Sequence, residues 1–424
     1  MLKVFYYNTF LPRNLGEGMV SRRFFASAQK VQTWELTAVP PFSFANWQPR
    51  VVNGRTSANG QVKKSPTPRQ QIKKLIPSEV RQAMRNLQSP RSRIPVAPYL
   101  HTRRQKQLMM QALAQEEFDF FWLHLSQDDL AALAWLVGHL KAEYPAKPVF
   151  LRAPGPLAYQ ADHVFHRYMS VQDRQHEQFL YAQADAIAVI SNDMKKLMVS
   201  QGAEAQKLHV LPNGIDFDSF VPDGVDGEVV RERYGLNGRK IVGYIGGYWS
   251  GNDMETLLRA WQQVSSQEPD AALLLVGDGP KKAASLELAA ALNLPDCVWV
   301  DHVPHEEVPA YLAAMDIGVG PYIQEALNFV SPLKVIEYTA MGLPVVAADG
   351  GQIRELIEHE VSGYLYPAED PDKLAFYIVD LLQNPGKAEV MRQQAAKRMQ
   401  SWYTWDGFAE QAYALCVDVL SVVG

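Results

Sequence analysis

The sequence predicts an α/β chain of two Rossmann-like domains, each built on a parallel sheet. Three observations carry this. Short apolar runs alternate with helix-length amphipathic stretches along most of the 424 residues, the pattern of repeated strand–helix–strand units. Two comparable series of such units flank a Pro/Gly/Asp-rich stretch, PNGIDFDSFVPDGVDG, which reads as an interdomain linker. With 47% apolar and 21% charged residues, the chain is neither disordered nor collagen-like, and its length suits about two or three domains.

The strands expected in the first series are Lys3 to Tyr7, Thr33 to Ala38, Phe118 to Leu123, Pro148 to Arg152, Ala186 to Ile190 and Leu208 to Leu211. Those in the second are Lys240 to Ile245, Ala272 to Val276, Val298 to Val300, Ile317 to Val319, Pro344 to Ala347 and Gly363 to Tyr366. Helices fall between them, for example Met254 to Gln267 and Val308 to Ala314. The domains are therefore drawn at 1–215 and 225–400. The remaining segment, 401–424, is a helix expected to start after a cap at Thr404 or Asp406, and its aromatic residues require a domain surface to pack on, with a return to the first domain as one option. The longest apolar run, around Leu130 to Leu140, is too short for a membrane span and contains His139, so it reads as a core helix. MLKVFYYNTFLP lacks the basic, apolar and small-residue order of a signal peptide and reads as a first strand, giving an expected cytoplasmic location. Two cysteines, Cys297 and Cys416, support neither a disulfide framework nor a metal site.

The net charge of -5 conceals an asymmetry. Between Arg50 and Gln107 there are fourteen basic residues and one acid, Glu79, so that window carries +13 and the rest of the chain -18. Such a block seeks a polyanion: phosphate groups, anionic lipid or nucleic acid. A solvated insertion reads equally well in its first part. Within its second part, Val80, Ala83, Met84 and Leu87 share a helical face while Arg81 and Arg85 point elsewhere, as in an interfacial amphipathic helix. No aromatic residue interleaves with the cations between Arg50 and Ala97, which argues against nucleic acid.

The segment most informative about chemistry is FVSPLKVIEYTAMGLPVVAADGG, Phe329 to Gly351. Ser331 suits an N-cap, Pro332 the first helical position, and Gly342 the helix end. A helix N-terminus at the cleft offers free N–H groups to a phosphate. Lys334 lies in the first turn and Glu337 three residues later on the same face, so the pair can hold a diphosphate and a ribose, respectively. An ordinary i,i+3 salt bridge on a solvated helix is the plainer reading. Gly246 and Gly247 follow a buried strand and either admit a phosphate close to the backbone or make a tight turn. Asn213 and Gly214 lie in the linker, where Asn-Gly also makes a plain turn.

Taken in order, YAQADAIAVISNDMKKLMVSQGAEAQKLHVLPNGIDFDSF, IVGYIGGYWSGNDMETLLRAW, AALLLVGDGP, VPHEEVPAYLAAMDIGVGPY and SPLKVIEYTAMGLPVVA resemble the retaining glycosyltransferases of GT-B fold, family 4, in the branch with an SPLK-x-x-E segment. The resemblance runs from about Ala182 to the C-terminus and is weaker before it. It implies that Glu337 holds the nucleotide ribose. It also implies a second glutamate eight residues earlier, where Phe329 stands, and a loop Arg and Lys, where Gly247 and Asn252 stand. Lys334 is the expected replacement cation, with the amides around Ser331, Pro332 and Leu333 completing the phosphate site. In the first domain the family places a glycine-rich loop, loosely matched by Gly16 and Gly18, and a histidine that touches the transferred sugar, matched by His124 after DFFWLHL; Arg152, closing PVFLR, is a similar candidate. Alone, His124 reads as structural at least as well.

The implied activity is transfer of a sugar, with retention, from a nucleotide-diphosphate sugar to a glycan or polyprenyl-linked acceptor, with no cofactor and no metal. The basic window would then rest on an anionic membrane surface, as a peripheral contact, in cell-surface polysaccharide synthesis. A catalytically silent scaffold of the same fold is the alternative that the missing glutamate and cations raise. A nucleotide-sugar epimerase of this fold would carry several cleft carboxylates and histidines, against which the SPLK segment argues.

Overall fold

A computed structural model describes residues 2–7, 27, 34–39, 107, 109–111, 113–114, 117–126, 130–399 and 404–423. Gly16, Gly18 and the basic window up to Lys106 lie outside the described residues. The expected strands all form, within a residue or two of their expected bounds. In the first half they are β1 (Leu2–Tyr7), β2 (Trp34–Val39), β3 (Phe120–His124), β4 (Val149–Arg152), β5 (Ala186–Val189) and β6 (Leu208–Val210). The second half has β7 (Lys240–Ile245), β8 (Ala271–Val276), β9 (Cys297–Val300), β10 (Ile317–Gly320), β11 (Val345–Ala348) and β12 (Tyr364–Tyr366).

Each half folds into one six-stranded sheet, in the orders β2-β1-β3-β4-β5-β6 and β12-β11-β10-β7-β8-β9, and every pairing is parallel. Parallel strands are covered on both faces by their crossover helices, which is why AALLLV of β8 is apolar throughout and wholly buried. Read from β9, the second sheet has the doubly wound order, and its direction of winding reverses between β7 and β10. In open α/β sheets that reversal opens a crevice beyond the carboxyl ends of the strands.

Local chemistry sets the helix ends. Asp253 caps the helix Met254–Gln267 by accepting from Thr256 N at 3.0 Å. Asp370 does the same for Pro371–Gln383, with Pro371 in the first position, where no N–H is needed. Thr404 Oγ1 accepts from Gly407 N at 2.8 Å and starts the helix Trp405–Val423. Trp405, Phe408, Ala409, Ala412 and Cys416 of that helix cluster with Val4, Tyr6, Trp122 and Phe150, so the chain's last helix packs on the first sheet. The run around Leu130 forms the buried helix Leu130–Glu143. Among the described residues no helix is long and apolar enough to cross a membrane.

Candidate functional site

The site forms where the second sheet reverses. The loop after β7, the loop after β10 and the helix Leu333–Ala340 meet there. Lys334, in the first turn of that helix, turns its ammonium away from the helix axis: Nζ donates to Asn252 Oδ1 at 2.6 Å and to Tyr322 OH at 3.1 Å. It also lies over the rings of Tyr322 and Tyr244, 4.4 and 5.0 Å from their centroids. Burial pulls its pKa down from 10.5 to about 7, with the charge of Glu337 acting the other way. None of the described ion pairs joins Lys334 to Glu337, so the i,i+3 bridge is not what the lysine makes. Instead the ammonium occupies the neighbourhood of Asn252, the loop position at which the family resemblance expects a lysine.

The two glycines explain how the lysine gets there. Gly246 has φ +150°, and a Cβ on it would stand 2.8 Å from Lys334 Cε. A Cβ on Gly247 would run into the indole of Trp249. The space beside the two glycines is taken by two side chains of the protein, Lys334 and Trp249. Asn252 fixes the loop from within, donating from Nδ2 to Gly247 O at 2.8 Å, while Tyr244 OH donates to the same carbonyl at 2.7 Å.

The helix N-terminus departs from expectation. Pro332 adopts φ −83° and ψ 62°, the centre of an inverse γ-turn in which Leu333 N donates to Ser331 O at 2.9 Å. Helical geometry therefore starts at Leu333 rather than Pro332, and Ser331 does not cap it. The Leu333 amide is consumed by the turn and is not the free donor anticipated. The Ser331 hydroxyl is consumed as well: it accepts from Asn213 Nδ2 at 2.6 Å and makes a long 3.5 Å contact to Gln352 Oε1. Gly342, at φ +68°, ends the helix as expected.

Asn213 joins the two halves. Its Oδ1 accepts from Arg152 at the end of β4, and its Nδ2 reaches Ser331 in the second half. Asn213 and Gln352 are fully buried, and Arg152 nearly so. The Arg152 guanidinium also lies over the ring of Phe408, 4.9 Å from its centroid, which ties the C-terminal helix into the same seam. His124 stands opposite Arg152 in the β3–β4 register and is buried. Burial first, and the neighbouring guanidinium second, lower its pKa to about 3; the imidazole is neutral at physiological pH.

Phe329 is part of the first half's core cluster, together with Ala326. Its ring meets Tyr159 edge-on at 6.4 Å, and its Cβ would lie 2.9 Å from a Cβ on Gly155. Where the family resemblance expects a carboxylate, the chain thus has an apolar contact between its halves. Asn192 N and Nδ2 add polar contacts to Glu355 Oε1 at 2.8 and 3.1 Å.

Sequence reasoning missed Tyr244, Trp249, Tyr322 and Gln352. Aromatic residues are common in cores, and nothing in their spacing separated these from packing residues; GGYW directly after a buried strand was the available signal for Trp249. Among the described residues no group of three or more His, Cys, Asp or Glu is arranged to hold a metal ion.

Comparison with known proteins bears on both halves. Residues 66–214 match the family described as "Glycosyl transferase 4-like domain", and residues 239–384 match "Glycosyl transferases group 1". The chain is 30% identical over 212 residues to the GDP-mannose-dependent alpha-(1-6)-phosphatidylinositol monomannoside mannosyltransferase of Mycolicibacterium smegmatis, covering 49% of this chain and 56% of that one. It is 28% identical over 215 residues to the amylovoran biosynthesis glycosyltransferase of Erwinia amylovora, covering 50% of each. The chain thus spans about half the length of these relatives. Two solved structures share its fold. HepE of Anabaena, crystallised with UDP and glucose, aligns with TM-score 0.69 at 15% identity over 99% of this chain and 100% of that one. The sucrose-phosphate synthase of Thermosynechococcus elongatus aligns with TM-score 0.69 at 18% identity over 100% of both.

Proposed function

From a chain of GT-B fold that resembles the family 4 glycosyltransferases in both halves, we propose a sugar transferase that uses a nucleotide-diphosphate sugar and retains the anomeric configuration. The observation that carries this is the Lys334 ammonium delivered to Asn252 at the reversal point of the second sheet. A diphosphate in a cleft needs a cation, and an unpaired buried charge is costly. Lys334 meets that need where the loop itself supplies none. The silent-scaffold alternative loses much of its ground, because it rested on the missing cations as well as the missing glutamate.

In this reading residues 225–400 hold the donor and residues 1–215 the acceptor. Lys334 and the positive end of its helix face the diphosphate, and Glu337, one turn on, takes the ribose hydroxyls. The acceptor hydroxyl oxygen bonds to the anomeric carbon as the bond from that carbon to the phosphate oxygen breaks, and the departing phosphate oxygen takes the hydroxyl proton. Lys334 stabilises the charge left on the diphosphate. His124 and Arg152 line the acceptor side once the halves separate. The relatives named for a phosphatidylinositol acceptor and for amylovoran synthesis support a lipid-linked or glycan acceptor. A cytoplasmic enzyme working at the face of a membrane, through residues 50–107, is consistent with that.

The test is hydrolysis of UDP-, GDP- and ADP-sugars by the wild type and by Glu337→Ala. Hydrolysis of one donor by the wild type, reduced in the variant, is expected. Equal rates in the two proteins would refute the assignment of Glu337, and calorimetric titrations in which no nucleotide sugar binds would favour the scaffold.

A further inference from the structure

We propose that Trp249 is a stacking platform for a pyranose ring, placed between the Lys334 site and the seam of the two halves; this rests on the donor-site reading above. Trp249 is 50% exposed, whereas Trp122 and Trp261 are fully buried and Trp405 is 7% exposed. A half-exposed indole offers an apolar ring face to a ligand.

The ring is not exposed by looseness. Trp249 O accepts from Asn252 N at 3.0 Å, closing the tight turn Trp249–Asn252, and the Asn252 side chain pins Gly247. The adjoining Tyr248 is held on both sides of its backbone, with N donating to Asp278 O and O accepting from Lys281 N, each at 3.0 Å. The indole lies against the bare backbone of Gly247, in space that any side chain there would take. The same turn touches the seam: Gly251 O accepts from Ile323 N at 3.2 Å, and Ile323 packs on the first half's core.

An indole has an apolar face and a polar N–H edge. The complementary ligand is a ring with one face of C–H groups and a rim of hydroxyls, which is a pyranose. A nucleobase also stacks on indole, but the position disfavours it. Asn252 is both the end of the Trp249 turn and the acceptor of the Lys334 ammonium, so Trp249 adjoins the diphosphate position. Glu337 sets the ribose, and the base beyond it, further along the helix. The ring joined directly to the diphosphate is the transferred sugar; an acceptor sugar brought to the anomeric carbon reaches the same surface.

Calorimetric titration of wild type, Trp249→Ala and Trp249→Phe decides it, with UDP, GDP, UDP-glucose and GDP-mannose as probes and methyl α-D-glucoside and mannoside added to the nucleotide-bound protein. Expected is an unchanged affinity for the bare diphosphate in all three proteins. Nucleotide-sugar affinity should fall roughly tenfold in Trp249→Ala and stay within about threefold in Trp249→Phe. Loss confined to the methyl glycosides would assign the platform to the acceptor's ring and still support it. Equal weakening of UDP and UDP-glucose would overturn the proposal in favour of a base, and unchanged binding of every sugar would overturn it outright. If the wild type binds no nucleotide, the donor-site reading fails and the glycosides alone decide Trp249.

Discussion

Lys334 Nζ lies 2.6 Å from Asn252 Oδ1, so the ammonium from one element stands where the loop of another lacks its cation. A cation moved between elements predicts a rescue. Lys334→Ala should weaken UDP or GDP binding by about ten- to hundredfold, the loss of one charge-assisted hydrogen bond worth about 1.5–3 kcal/mol. Adding Asn252→Lys to Lys334→Ala should restore most of it, since the second lysine starts from the receiving end of the same contact. Calorimetric titration of the single and double variants measures this; an inert double variant would show that the two positions serve different charges.

The lowered pKa of Lys334 makes donor binding depend on pH. Its free-state value of about 7 leaves the amine largely neutral above that, while a bound diphosphate favours the ammonium and raises the value. Binding above pH 7 should therefore take up as much as one proton, and affinity should fall as pH rises from about 7 towards 9. Titrations in two buffers of different ionisation enthalpy give the uptake, which Lys334→Met should abolish. Stability follows the same linkage: the unfolded chain binds this proton below 10.5 and the folded one only below about 7. The buried amine thus destabilises the fold progressively as pH falls across that window. Lys334→Met should raise the melting temperature at pH 8.

Gly246 tests whether the lysine's path matters. Gly246→Ala must adopt φ +150° and place its methyl 2.8 Å from Lys334 Cε. The strain is on the order of 1–3 kcal/mol, and relief by displacement of Lys334 should lower nucleotide affinity too. Gly386→Ala, in the helix Pro385–Met399 with nothing within 4 Å, serves as the unstrained control and should melt no lower than wild type. Thermal melts and nucleotide titration of the two variants should separate; similar behaviour would mean that the loop adjusts freely.

These positions differ in how far the sequence exposes them. The strands are legible because a parallel sheet buries both faces, and runs such as KIVGYI and AALLLV carry that signature directly. The helix that carries Lys334 and Glu337 is legible because Pro332 before it and Gly342 after it bound it. The direction taken by the lysine is not, since it depends on Asn252 and Tyr322, which come from two other loops and meet it only after the sheet closes. Ser331 misleads for the same reason: as a local residue it is a good cap, yet Asn213, 118 positions away in sequence, claims its hydroxyl. Pro332 then turns the backbone into a γ-turn that consumes the Leu333 amide.

The seam supplies a prediction about the two halves together. Asn213→Ala removes the only residue that both accepts from Arg152 and donates to Ser331 among the described contacts. A buried guanidinium losing an acceptor costs about 1–3 kcal/mol. Lower urea midpoints and a larger radius of gyration by small-angle X-ray scattering are expected. Asn213→Asp keeps the acceptor for Arg152 but not the donor to Ser331, so it should restore stability more than compactness. No change in either quantity for Asn213→Ala would show that the apolar Phe329 contact holds the seam alone.

His124 adds an acid-sensitive element beside that seam. Its pKa is about 3 in the folded protein against 6.5 unperturbed. The unfolded chain therefore takes up the proton below 6.5 while the folded chain does not until about 3, and this group's contribution is lost progressively as pH falls through that window. Its cause is burial beside Arg152, and that neighbour cannot be deprotonated. Replacing His124 with Gln, which keeps polar atoms without a titrating ring, should flatten the decline in stability between pH 6.5 and 4 relative to wild type while changing the value at pH 8 little. Chemical unfolding at half-unit pH intervals gives both curves, and parallel slopes for the two proteins would show that His124 takes its proton in the folded state as readily as in the unfolded one.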